Sequence, residues 1–186
     1  MPDIDASPAR RVVITGAPGT GKTTLLKSIE ARGYRVLPEM ARALIREQLA
    51  AQSKLLPWEN HAGFGEKLFE RQVAQYHQAP AGLTTFYDRG IPDNLGYLRR
   101  DGIPNADLEE AARQYPYFPY VYFTPPWPEI YGQDAERRED LPLMQAIHQA
   151  LEDIYRHYGY QLIEVPKLPP AQRADFILHH MAQPTT

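Results

Sequence analysis

The most informative segment of the sequence is Gly16-Ala17-Pro18-Gly19-Thr20-Gly21-Lys22-Thr23. It has the G-x-x-x-x-G-K-[ST] pattern of a P-loop. A β-branched apolar run at 11–15 precedes the segment and predicts a buried strand. Leu25, Leu26 and Ile29 follow it at helical spacing. Because a P-loop connects a strand to a helix, this context predicts that the chain binds a nucleoside triphosphate.

The residue types in this loop match the chemistry of phosphate binding. Glycines permit backbone angles that turn several N–H groups inward, and the positive end of the following helix points at the same place. Lys22 is predicted to contact the β- and γ-phosphates and to take part in catalysis, and the Thr23 hydroxyl to hold Mg²⁺. The loop residues predicted to bind the nucleotide are Gly16, Ala17, Pro18, Gly19, Thr20, Gly21, Lys22, Thr23 and Thr24.

Size and composition are those of one compact domain. The chain has 186 residues, 43% of them hydrophobic, which argues against global disorder. No apolar run is long enough to cross a membrane, and there is no cysteine for a disulfide or a thiolate metal site. The net charge of −3 gives no general attraction to nucleic acid. We expect a flexible polar tail at 1–10, a single domain at 11–186 and a cytoplasmic location.

Strand-like and helix-like segments alternate along the chain. The predicted strands are 11–15, 34–38, 83–87, 120–124 and 161–165. The predicted helices are 21–32, 40–50, 61–78, 92–101, 106–114, 141–158 and 170–182. Strands separated by helices predict a parallel sheet that is covered on both faces. The expected fold is therefore a three-layer α/β P-loop domain with a five-stranded parallel sheet.

An acid stands at the end of the third predicted strand. Downstream of a P-loop, Asp88 is where a carboxylate orders the hydration shell of Mg²⁺, although a surface aspartate at a strand end is also common. The next residue is Arg89, which holds anions and does not act as a base. Because many P-loop ATP hydrolases have a glutamate there to activate water, Arg89 favours phosphoryl transfer to a bound acceptor over hydrolysis.

A second acid, Glu39, follows the second predicted strand. Ligands of open parallel sheets collect outside the carboxyl ends of the strands, so we expect Glu39, Asp88 and the P-loop to converge. An acceptor hydroxyl needs a carboxylate that orients it and takes its proton, which makes Glu39 the candidate catalytic base. Alternatively, Glu39 stabilises the start of a helix. Arg42 follows on a similar helical face, where it either binds an anionic acceptor or is solvated.

Two later segments contain candidate arginines. The charged run 134–140 follows the fourth strand, where small kinases have a mobile lid, expected here at about 125–140. Arg137 and Arg138 are candidates for neutralising charge on the transferring group, and the alternative is a solvated surface run. Arg173 lies near the loop after the fifth strand and is a candidate for stacking on the nucleotide base.

Together these motifs resemble a known family. The P-loop with Lys22-Thr23-Thr24, and the segments 37–42, 87–93 and 123–126, are similar to those of small predicted P-loop ATPases with a kinase-like core. That family resembles the ribosylnicotinamide kinase domain of the bacterial NAD regulator and, more distantly, nucleoside and thymidylate kinases. The resemblance implies a five-stranded parallel sheet, ATP with Mg²⁺ as donor, and an acceptor site between Glu39, Arg89 and Asp93. By the same resemblance, Glu39 takes the base role and Arg89 holds the acceptor or its phosphate.

Two functions are compatible with these observations. The first is an ATP-dependent kinase that transfers the γ-phosphoryl group to a hydroxyl or phosphate of a nucleoside-like small molecule. The second is a regulatory NTPase switch that binds ATP or GTP, as some relatives in the resembled family do. The guanine-reading Asn-Lys-x-Asp pattern of ordinary GTPases is absent, yet GTP stays possible as the nucleotide. The acceptor's identity and the oligomeric state are left open.

Overall fold

A parallel sheet forms the centre of the molecule. The computed structural model describes residues 10–130 and 141–183. Within these ranges there are five strands: β1 (Arg11–Gly16), β2 (Arg35–Leu37), β3 (Thr85–Asp88), β4 (Tyr120–Thr124) and β5 (Gln161–Glu164). They lie side by side in the order β2-β3-β1-β4-β5, and each neighbouring pair is parallel. The predicted five-stranded parallel sheet is thus confirmed.

Helices connect successive strands and end close to their predicted limits. In the described ranges they are α1 (Lys22–Glu30), α2 (Met40–Ala50), α3 (His61–His77), α4 (Ile91–Arg100), α5 (Ala106–Gln114), α6 (Leu141–His157) and α7 (Pro170–Ala182), with a short 3₁₀ turn at Pro128–Ile130. The third strand departs from its prediction of 83–87. It begins two residues later because Leu83 is exposed, and it continues through Asp88, which pairs with Ile14.

The side chains of β1 point alternately to the two faces of the sheet, and each face is covered by helices. Successive strand side chains point to opposite faces of a sheet. Val12 and Ile14 pack in one cluster with α1 and α7, represented by Leu25 and Ile177. Val13 points the other way and packs in a second cluster with residues of α4, α5 and α6. Each face of the sheet is therefore buried beneath helices, as expected for a parallel sheet.

The carboxyl ends of the strands meet at one edge of the sheet, and the functional candidates follow them. β1 runs directly into the P-loop, and β3 ends at Asp88. Glu39 stands two residues after the end of β2, immediately before α2. Because parallel strands end at the same edge, these residues converge as the sequence predicts.

Several predictions concern residues outside the described ranges. The tail predicted at 1–10 falls mostly there, and Arg10, the part that is described, donates from Nη1 to the carbonyl oxygen of Met181 at 2.7 Å. Most of the predicted lid also lies outside the described residues, including Arg137 and Arg138. Among the helices of 10–130 and 141–183, none combines the length and the apolar character that a membrane crossing requires.

The junction of β1 and the P-loop gives a test of this packing. Gly16 has φ of 136° and pairs with Thr124 of β4, and a Cβ at residue 16 would overlap the carbonyl and hydroxyl oxygens of that threonine. We expect Gly16→Ala to lower the free energy of unfolding by roughly 2–5 kcal/mol. Gly33→Ala is the matched control, because residue 33 also has positive φ (88°) but nothing within 4 Å of an added Cβ.

Urea unfolding of both variants measures the difference. The control is expected to lose about 1–2 kcal/mol from backbone strain alone. Equal losses in the two variants would contradict the close approach of Thr124 to the loop.

Candidate active site

The P-loop lysine lies inside its own loop. Lys22 Nζ donates to the carbonyl oxygens of Gly16 at 3.0 Å and Ala17 at 2.8 Å, and only 6% of the residue is exposed. Burial, together with the positive charge of Arg89, lowers the pKa of Lys22 to about 7. A phosphate beside this ammonium would favour the charged form, because an opposite charge stabilises an ion that burial destabilises.

The other threonines of the loop are either hydrogen-bonded within the protein or exposed. The Thr24 hydroxyl donates to the carbonyl oxygen of Gly21 at 2.9 Å, so it is engaged in the start of α1. The Thr23 side chain is exposed and available for a ligand. Thr20 contacts Thr124 through their hydroxyl oxygens, 2.6 Å apart, which ties the loop to the end of β4. Sequence reasoning did not assign Thr124, because a threonine that ends a strand carries no distinct signal.

Arg173 supports the loop from α7. Its Nη1 donates to the carbonyl oxygen of Thr20 at 3.1 Å, and its guanidinium carbon lies 5.7 Å from the ring centroid of Trp127. Arg173 is 1% exposed, and burial lowers its pKa. The predicted stacking partner of the base is therefore itself packed against an aromatic ring and attached to the P-loop.

Asp88 is a buried carboxylate with an unused oxygen. It is 7% exposed, and Oδ1 has no hydrogen-bond partner in the part of the chain that the structure describes. Burial, and then the negative charge of Glu39, raises the pKa of Asp88 to about 6. This orphaned oxygen and the Thr23 hydroxyl are hard oxygen donors, which Mg²⁺ prefers alongside phosphate oxygens and water. The residues predicted to hold the metal therefore fit it.

Glu39 lies between two arginines. Its carboxylate accepts a hydrogen bond from Arg89 Nε at 3.1 Å and forms an ion pair with Arg42, whose Nε lies 3.2 Å from Oε2. Burial alone would raise the pKa of Glu39, but the positive charges of Arg89, Lys22 and Arg42 outweigh it and lower that pKa. Glu39 is thus an ionised carboxylate directly before α2, and it interacts electrostatically with Lys22 of the P-loop.

Arg89 has an unusual backbone conformation. Its φ is 69°, in the left-handed region that non-glycine residues rarely occupy. Its backbone N–H donates to the carbonyl oxygen of Ile14 at 3.1 Å, and its Nη1 donates to Asp93 Oδ1 at 3.1 Å. The guanidinium carbon lies 5.6 Å from the ring centroid of Tyr97. A strained residue that persists in this way is typical of a functional site.

The Asp93 carboxylate is engaged by donors from within the protein. It is 1% exposed, and its two oxygens accept hydrogen bonds from Thr15, Arg89, Gly90 and Tyr155. The structure therefore brings Asp93 next to Arg89, as the sequence predicts, but engages its carboxylate with the protein itself.

A single cavity of about 890 Å³ joins these groups. One part is formed by P-loop residues with Trp127, Arg173 and the loop after β5. The other part has apolar and aromatic walls from α2, α3 and α4, with a few polar groups among them. Its lining residues on those helices include Met40, Ile45, Phe64, Leu68, Gln72, Asn94 and Tyr97.

Gln72 and Asn94 are site residues that sequence reasoning missed. Gln72 Nε2 donates to the carbonyl oxygen of Gly90 at 3.0 Å, and Asn94 Nδ2 donates to that of Gly65 at 2.8 Å. The available signal was a polar side chain within an apolar helical stripe, since Gln72 follows Phe64 and Leu68 at intervals of four. Such a stripe is typical of any core-facing helix, which is why it did not mark a site.

The fold and the loop define a P-loop domain with a kinase-like core. The family profile described as "AAA domain" matches residues 11–173, and the chain belongs to that family. No curated protein sequence matches the chain.

Solved structures with the same fold include several kinases. Deoxyadenosine kinase from M. mycoides with bound dATP has a TM-score of 0.69 at 14% identity, over 94% of this chain and 100% of that one. Thymidylate kinase from Candida albicans gives 0.69 at 14% identity, over 94% and 91%. The NadR protein in complex with NR gives 0.67 at 16% identity, over 92% of this chain but 51% of that chain, so this chain spans about half of NadR.

The burial of Asp88 predicts an effect on the free energy of unfolding that can be measured. A carboxylate whose pKa is raised from 3.8 to about 6 destabilises the folded state above pH 6, and this penalty disappears as pH falls toward 4. We therefore expect Asp88→Asn, without metal or nucleotide, to be more stable than the wild type at pH 8 by roughly 1–3 kcal/mol. At pH 5 the gain should fall to about half.

Urea unfolding at both pH values measures the gain. Asp175→Asn is the control, since Asp175 forms an exposed ion pair with Arg32 and its loss should cost at most about 1 kcal/mol. A less stable Asp88→Asn protein at pH 8 would mean that Asp88 has a partner in the folded protein.

Proposed function

We propose that the chain is an ATP-dependent kinase that transfers the γ-phosphoryl group to a hydroxyl of a nucleoside-like small molecule. The observation that carries this proposal is the pairing of the Glu39 carboxylate with the Arg89 guanidinium, at 3.1 Å, in the cavity that also contains Lys22. Phosphoryl transfer to a hydroxyl is favoured by a phosphate-binding lysine, a carboxylate that orients the acceptor and a cation that offsets charge on the transferring group.

The part of the cavity formed by the P-loop, Trp127, Arg173 and the loop after β5 supports nucleotide binding, and we call it the donor half. Lys22 and the loop amides would hold the β- and γ-phosphates, and Arg173 would hold the loop through Thr20. Thr23 and Asp88 would hold Mg²⁺, which neutralises charge that develops on the phosphates. Two of the structures with this fold carry bound nucleotides, dATP in the deoxyadenosine kinase and phosphorylated GDP in the YorR protein of Bacillus subtilis.

The part of the cavity with walls from α2, α3 and α4 favours an uncharged molecule, and we call it the acceptor half. Among the described residues, each arginine that lines it is paired with a carboxylate: Arg42 with Glu39, Arg89 with Glu39 and Asp93, and Arg100 with Asp101 at 2.6 Å. A phosphate acceptor would need cations in excess of these carboxylates. The apolar and aromatic walls fit a planar ring, so a ring-bearing molecule with a free hydroxyl suits the site better than a nucleotide.

The residues imply a direct transfer. Glu39, kept ionised by its neighbours, orients the acceptor hydroxyl and takes its proton as the hydroxyl oxygen attacks the γ-phosphorus. The bond between that phosphorus and the bridging oxygen breaks, and ADP leaves with the electron pair. Lys22 and Arg89 offset the negative charge on the oxygens during the transfer. Positioning and charge account for the catalysis, with no covalent enzyme intermediate.

Label transfer from γ-³²P-ATP and γ-³²P-GTP to a panel of nucleosides, nucleotides and sugars tests the proposal. We expect acceptor-dependent labelling of a nucleoside-like hydroxyl compound. Binding of ATP or GTP with negligible transfer across the panel would instead favour the regulatory NTPase switch, and release of labelled phosphate without any acceptor would favour a hydrolase.

Glu39→Gln separates the base from the nucleotide site. We expect kcat to fall about 100-fold, because proton acceptance in the transition state is lost, while ATP affinity changes less than about twofold. Glu47→Gln is the control, since Glu47 pairs with Arg71 on the exposed side of α2 and should leave both values unchanged. Loss of ATP affinity in Glu39→Gln would assign Glu39 to the nucleotide site instead.

A further inference from the structure

A buried hydrogen-bonded cluster lies behind the acceptor half of the site. We call it the Asp93 cluster, and its members are Thr15, Arg89, Gly90, Asp93 and Tyr155. They come from β1, from the turn between β3 and α4, from α4 itself and from α6. One carboxylate therefore connects the strand that leads into the P-loop, the strained arginine and a helix from a later part of the chain.

The donors use the whole carboxylate of Asp93. Oδ1 accepts from the Thr15 hydroxyl and from Arg89 Nη1, and Oδ2 accepts from the Gly90 N–H and the Tyr155 hydroxyl. A carboxylate offers about four lone-pair sites, so this one is fully engaged. Asp93 has no acceptor capacity left for a small molecule, and donors on opposite sides prevent its rotation.

Tyr155 is built into this position. Its side chain is completely buried, and a Cβ at residue 90 would lie 3.1 Å from its hydroxyl oxygen. Burial and the neighbouring carboxylate of Asp93 raise the pKa of Tyr155 well above its usual value, so the hydroxyl remains a donor. A phenylalanine would fill the same space in the core and would lack only this hydrogen bond.

Arg89 depends on such support. A non-glycine residue at positive φ costs about 1–3 kcal/mol and persists only where the surroundings hold it. Its guanidinium is held on one side by Glu39, through Nε, and on the other by Asp93, through Nη1. If Asp93 turned, Arg89 would lose this ion pair and keep its contacts with Glu39 and the Tyr97 ring, and its orientation in the cavity would change.

We infer that Asp93 and Tyr155 are positioning residues: the Tyr155 hydroxyl fixes the Asp93 carboxylate, which orients the Arg89 guanidinium towards Glu39 and the acceptor. This role replaces the direct acceptor contact that the sequence suggests for Asp93. What Arg89 binds rests on the proposed function, but how Arg89 is oriented does not.

Proton exchange at Arg89 Nε tests the orientation without any acceptor. The Nε–H signal is observed in ¹H–¹⁵N spectra and assigned by its loss in Arg89→Lys. We expect Tyr155→Phe to speed its exchange with water about tenfold, as loss of a charge-assisted support predicts. Tyr160→Phe is the matched control, because its hydroxyl accepts from the Tyr117 N–H at 3.1 Å and has no contact with Asp93.

A second variant covers the case in which Tyr155→Phe does not fold. Thr15→Val removes a donor to the other oxygen of Asp93 while it preserves the size of the side chain. It should also speed exchange at Arg89 Nε, whereas Tyr160→Phe should change it less than about twofold. Unchanged exchange in the variants that fold would overturn the inference.

Kinetics then separate positioning from general damage. With the acceptor found by label transfer, Tyr155→Phe should raise the KM for the acceptor about tenfold and leave the KM for ATP within about twofold. Equal changes in both constants would indicate a merely structural role and would refute the positioning role. If the wild type transfers no label, the kinase proposal fails, and the exchange measurement still decides the role of Tyr155.

Discussion

Charge balance in a water-poor space is the constraint on which the site depends. Lys22, Glu39, Asp88, Arg89 and Asp93 are each less than one-fifth exposed, yet all are ionisable. Isolated charges in such a place are expensive, so each must have a partner of opposite sign or change its protonation. Glu39, Arg89 and Asp93 satisfy one another by direct ion pairs. Among the described residues, neither Lys22 nor Asp88 has such an ion pair, and their pKa values move to about 7 and about 6, toward neutral forms.

This division of the charges has a functional meaning. In the proposed function, the paired groups form the acceptor half of the cavity. Lys22 and Asp88 line the other half, where a nucleotide would bring negative oxygens and a metal would bring positive charge. Ligands would therefore complete the electrostatic balance that the protein leaves open at the P-loop. Such preorganisation is how an active site lowers the cost of charge development in a transition state.

Much of the fold, and the placement of the P-loop, Glu39 and Asp88, could be predicted because the sequence patterns that indicate them are local. The P-loop, β1 and α1 follow one another directly in the sequence, and the position of Glu39 and Asp88 at strand ends required only the parallel sheet. Contacts between distant segments carry no such signal. Nothing in the spacing of the α6 residues indicates that the hydroxyl of Tyr155 reaches Asp93. The spacing predicts only that one side of the helix faces the core, through Met144, Ile147, Leu151 and Ile154 at intervals of three and four.

The error at the third strand and the unpredicted hydrogen bonds of Asp93 have related physical causes. Local apolar character predicts a start at Leu83, whereas pairing with β1 and β2 begins at Thr85. A motif likewise predicts that Asp93 lies near the acceptor site, whereas the direction of its side chain depends on donors from β1 and α6. At 14–16% identity, the solved structures of similar fold do not determine these details, which depend on the side chains of this chain.

Calorimetric titration with ATP or GTP in the presence of Mg²⁺ tests whether the P-loop binds a nucleoside triphosphate. We expect saturable binding of one of these nucleotides to the wild type. We also expect Lys22→Ala to bind roughly 10–100-fold more weakly, as loss of a charge-assisted hydrogen bond implies, without losing its folded structure. No uptake of either nucleotide by the wild type, or equal affinity in the variant, would contradict nucleotide binding by the P-loop.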